Sequence, residues 1–142
     1  MMLLLSTHYG NDTMITLYFI FKIIHVISGT AVFSSAFIAP LYWLFEKESP
    51  ELLYRKTLKI GFLITLPFLL LQLITGFIII GIKQYSIHLP WVWGVFSGFL
   101  MFSLSWLLSL YYLTQKNKIA WLIALIVSFI ALLVMLFLMA NR

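Results

Sequence analysis

A lysine and a histidine sit three positions apart in a stretch that is otherwise apolar enough to cross a bilayer: Phe21-Lys22-Ile23-Ile24-His25-Val26-Ile27-Ser28-Gly29. On a helix, residues three and four apart share a face, so Lys22, His25 and Gly29 make one stripe with Ser28 beside it. An ionisable group inside a membrane span is costly and normally faces the bundle or a water-filled cavity, which marks it as a functional candidate. An imidazole there has three uses. It can hydrogen-bond across helices, ligate haem iron, or pass a proton. For a b-type haem, Gly29 would admit the flat macrocycle one turn from His25, and Lys22 or Lys83 would meet the propionates. A second buried histidine is not on offer, since His8 and His88 fall outside the expected spans.

A second polar set, Gln72, Thr75 and Gly76, shares one face of another apolar run. Depth decides which groups can meet. His25 and Gln72 each stand about ten residues from the same end of their spans, or ~15 Å at the helical rise. Ser97 and Gly98 fall in the same layer on a third run, and Lys22 is level with Thr75 and Gly76. These residues form the candidate site: His25 as the metal ligand, with Lys22, Gly29, Gln72, Thr75 and Gly76 around the cofactor. The competing reading is a plain interhelical bond between His25 and Gln72. No buried carboxylate is expected, because Glu46, Glu48 and Glu51 lie in one loop and Asp12 near the start. Hydrolase and carboxylate-driven pump chemistry are thereby excluded.

The elements that must position these groups follow from composition. Of 142 residues, 63% are hydrophobic and 9% charged, with mean hydropathy +1.09; a soluble domain carries about 25% charged residues. At roughly 20 residues per span, the chain holds four membrane helices and no soluble domain. We expect an all-α, antiparallel four-helix transmembrane bundle with spans at about 15–45, 58–82, 91–113 and 119–140. Residues 1–13 read as a disordered tail or a start assigned too early, with Met14 as the alternative start. Pro40 should bend the first span and Pro67 the second. Ser49-Pro50-Glu51 reads as the start of a surface helix. Gly94 and Gly98, then Ser105 and Ser109, let helices approach closely, and Ala120, Ala124, Ser128 and Ala131 make a packing stripe. Cysteine is absent, which excludes disulfides and thiolate chemistry. The formal charge of +5 belongs to short loops, so it sets topology and does not suggest nucleic acid. Lys47, Arg55, Lys56, Lys59, Lys116 and Lys118 place the first and third loops in the cytoplasm and both termini outside.

The run from Leu17 to Gly29 resembles the opening of a bacterial integral-membrane family called domain of unknown function 2269. The likeness continues through Pro67, Leu71-Gln72-Leu73-Ile74-Thr75-Gly76, Leu89-Pro90-Trp91 and Trp106. It implies a four-span protein of the bacterial inner membrane, starting at Met14, and no particular activity. More distantly, the plan is similar to the four-helix, haem-containing protoporphyrinogen oxidases. That likeness implies His25 as haem ligand, although the lysine that family carries early in its third span has no counterpart between Trp91 and Gly98. Two function classes stand open: a haem-b redox or accessory protein, and a non-enzymatic structural or assembly subunit. The lipid bilayer is the expected environment, with a homo-oligomer or a membrane complex as further partner.

Overall fold

The computed structural model describes residues 2–141, with side chains from Asp12 onward. Among the described residues the chain is all helix, with no strand. Its first rod is α1 (Met2–Phe33), a five-residue π-helical stretch (Ser34–Ile38) and α2 (Ala39–Phe45). The second repeats the plan with α3 (Pro50–Ile60), a π-helical stretch (Gly61–Thr65) and α4 (Leu66–Ile82). Then come α5 (Pro90–Thr114) and α6 (Lys118–Ala140). Among the described residues all four rods are long and apolar enough to cross a membrane. The protein is an all-α, multi-pass four-helix bundle. Backbone helix is described from Met2, so α1 includes the polar segment Ser6 to Thr13.

The two π stretches are the local consequence of proline. Each ends two residues before one, Pro40 or Pro67. Proline lacks the N–H that would continue the ladder, and its ring crowds the preceding turn. The chain answers by widening that turn, so that the N–H groups of Ala39 and Leu66 reach back five residues, to the carbonyls of Ser34 and Gly61. Bends expected at the prolines thus take the form of π turns.

All three connections close in the same way. Lys47, Gln84 and Lys116 adopt φ of 55°, 52° and 58°, the left-handed conformation that usually falls to glycine after a helix end. In each case two backbone bonds cap the last turn; at the third, Lys116 N–H donates to the Leu113 carbonyl (3.0 Å) and Asn117 N–H to the Tyr112 carbonyl (3.1 Å). Two of the helices that follow, α3 and α6, start on side-chain caps, whereas α5 starts at Leu89 and Pro90 without one. Ser49 Oγ accepts from Leu52 N–H (3.4 Å), and Asn117 Oδ1 accepts from Ala120 N–H (3.1 Å).

The rods pair as two antiparallel hairpins. In the second, Gly94 and Gly98 lie against Leu138 and Met135 of α6, while Ala124, Ser128 and Ala131 are buried on the opposing stripe. The small residues of α5 therefore serve packing within the monomer. The hairpins meet through large rings: Phe37 lies 6.0 Å from Phe102 and 5.6 Å from Phe129, and Phe77 lies 5.1 Å from Phe96. Gly61, in the second π stretch, faces the indole of Trp106. The densest core, including Leu53, Phe102, Trp106 and Trp121, lies toward the end with the α2–α3 elbow and the α5–α6 turn. At the opposite end, α1 leans on α4, and Ile23, Val26 and Ile27 are exposed to the bilayer.

Candidate functional site

The first two rods run in strict antiparallel register, every step forward in one matched by a step back in the other. Tyr18 meets Lys83, His25 meets Thr75, Ser28 meets Gln72, and Ser35 meets Thr65. The site is the middle of this ladder. The His25 ring lies against Gly76, where an added Cβ would stand 3.4 Å from Cε1. Reciprocally, the Gln72 amide lies on Gly29, where a Cβ would stand 3.3 Å from Nε2. Each helix therefore offers a glycine to the other's polar side chain, four residues along in both cases. Removing two Cβ atoms lets the backbones approach closely enough for direct bonds.

Those bonds have a direction that follows from counting protons. Thr75 Oγ donates to the Leu71 carbonyl (2.8 Å), so its lone pairs face His25 Nδ1 at 2.8 Å and Nδ1 carries the ring proton. His25 Nε2 then accepts from Gln72 Nε2 (2.9 Å), and the Ser28 hydroxyl, which also lies 2.9 Å from the His25 carbonyl, gives its one proton to the nearer Gln72 Oε1 (2.5 Å). The chain of donors runs Ser28, Gln72, His25, Thr75 and ends on helix backbone. Every polar atom of the imidazole and both functional atoms of the amide are used. Ser28 and Thr75 are fully buried, and no charge is needed to complete the network.

Of the residues expected at the site, His25, Gly29, Gln72, Thr75 and Gly76 come together. Lys22 does not. It is exposed, and its ammonium lies 5.7 Å from the ring of Tyr18, where Lys83 also arrives at 4.1 Å. Helical side chains lean toward their own N-terminus, which in α1 carries Lys22 away from His25 toward the end of α4. Ser97 is also outside the layer: it is exposed and donates to its own helix at the Trp93 carbonyl (2.8 Å). Gly98 faces Met135 instead of His25. Sequence reasoning placed Ser28 beside the stripe without giving it a partner. It passed over a second polar bridge altogether: Thr65 Oγ donates to Ser35 Oγ (2.8 Å), joining the two π stretches in the core. The signal for it was Thr65 on the line of Gln72, with paired serines in an apolar run.

Comparison with family models, curated proteins and solved structures finds no match to this chain. A haem must therefore be judged on the residues alone. They do not fit it in this arrangement. Iron needs a free imidazole nitrogen, yet Nδ1 faces Thr75 and Nε2 faces Gln72. The space over Gly29 that a macrocycle would take is filled by the Gln72 amide. Lys22 and Lys83 converge on Tyr18, not on the imidazole. Among the described residues no group of three or more His, Asp or Glu side chains could hold a metal ion.

Proposed function

We propose that this chain is a non-enzymatic subunit of the bacterial inner membrane, a structural or assembly component of a larger membrane complex, with His25 and Gln72 as the lock of its first hairpin. One observation carries the reading: both ring nitrogens of His25 are spent on the second rod, at 2.8 and 2.9 Å. An imidazole that ligates iron would keep one nitrogen free of a protein partner. The likeness of the first three rods to the family of unknown function fits the same reading, since it implies location and fold without an activity. In this reading both termini lie outside and the α2–α3 elbow lies in the cytoplasm.

The test is the protein purified in mild detergent after expression with ample haem. It should show no Soret band, and it should migrate on native gels as part of an assembly larger than one chain. His25→Ala should insert normally and unfold more easily, by about 1–3 kcal/mol, the cost of leaving buried donors and acceptors unpaired. A b-type spectrum that disappears in His25→Ala would overturn the structural reading and restore haem ligation. A colourless protein found only as a monomer would overturn the assembly role.

A further inference from the structure

Beside the first π stretch the two rods leave an open apolar cleft of about 440 Å³, inside the roughly 300–1,000 Å³ range of small-molecule sites. Its walls are Ala31, Ser34, Ile38 and Ala39 from the first rod and Ile60 and Ile64 from the second, with Tyr42 and Trp43 at its mouth. From Ala31 to Trp43 the helical rise gives a length of ~18 Å, which suits a hydrocarbon chain lying along the helices. Short side chains at Ala31, Ser34 and Ala39 make the trough.

The mouth is basic. Lys56 Nζ lies 5.4 Å from the ring of Trp43. Lys59 is exposed on the adjoining turn, next in sequence to Ile60 of the wall. The carboxylates of the elbow are engaged: Glu51 pairs with Arg55 and Glu48 with Lys56 itself, while Glu46 accepts from Tyr42. Among the described residues Lys59 has no carboxylate within ion-pair distance. A lysine without a paired carboxylate, one residue from the wall of an apolar trough lined also by Tyr42 and Trp43, complements an anionic lipid headgroup and its acyl chain.

We propose that this cleft is a specific seat for one anionic phospholipid of the leaflet at the elbow end, its acyl chain beside the π stretch and its phosphate at Lys59. The test is native mass spectrometry of the full chain released from detergent with equimolar phosphatidylglycerol and phosphatidylcholine of identical acyl chains. Wild type should retain one phosphatidylglycerol at least fivefold more often than one phosphatidylcholine. Ala39→Phe, which fills the trough, should lose retention of both, and Ile64→Trp should repeat that loss if the first variant melts early. Lys59→Gln should keep one lipid bound and abolish the fivefold preference. Equal retention of the two lipids by wild type would overturn the proposal. So would a preference that survives all these variants, or a trough covered by a second copy of the chain, seen as a dimer that Ala39→Phe dissociates.

Discussion

At the scale of single residues, the informative feature is that His25 and Gln72 are neighbours and also use each other's glycine. Changing one partner strands the other. His25→Ala leaves the Gln72 amide and the Thr75 hydroxyl facing a void, whereas Gln72→Leu leaves His25 Nε2 without a donor. Because removing both polar partners can be nearly neutral, the double variant His25→Leu with Gln72→Leu should recover about 1 kcal/mol relative to the sum of the singles. Denaturant titration in detergent measures this, and strict additivity would deny the coupling. Gly29→Leu should be worse than either, since its side chain must displace the amide; overpacking of this kind costs about 1–3 kcal/mol. Most of this site could be read from spacing: a face shared by His25 and Gly29, another shared by Gln72, Thr75 and Gly76, and a common depth. Spacing could not show that Lys22 leaves the layer, because its long stem follows the helix direction toward water and not the stripe its Cα occupies. Nor could it show that the amide occupies the room Gly29 creates, which depends on two helices touching.

The same limit holds for elements. Two prolines announced irregular turns, and that much was legible. That the resulting π stretches lie level with each other and are stitched by Thr65 and Ser35 depends on the register of two helices, which no local signal encodes. The bridge can be tested against a neighbouring hydroxyl that lacks one. Thr65→Val removes the donor to Ser35 and should destabilise by about 1 kcal/mol. Thr57 is also buried, and its Oγ has no hydrogen-bond partner, so Thr57→Val should be neutral or stabilising. Equal losses at the two positions would mean that the bridge contributes nothing. A second element-level test concerns the turns. Lys116→Gly should stabilise the α5–α6 turn by up to about 1 kcal/mol, because glycine occupies a left-handed position without the Cβ penalty; a loss in thermal stability would count against the cap geometry.

For the whole molecule, four rods and their membrane class were evident from hydropathy alone, because bilayer thickness fixes span length. The division into one polar-linked hairpin and one small-residue hairpin, joined by phenylalanines, was less evident, since it depends on which faces meet. Orientation has its own test. Single cysteines at Ser49 and Ser86 should label differently with an impermeant reagent applied from outside, Ser86 reacting and Ser49 protected; the reverse pattern inverts the topology without touching the fold. The ladder between the first two rods also has a consequence in time. His25 and its amide partner are 47 residues apart, and at about 5–20 residues per second of synthesis the histidine is made roughly 2–9 s before Gln72 exists. During that interval the His25 ring has no partner on the second rod. The first hairpin therefore cannot lock until both of its rods have been made.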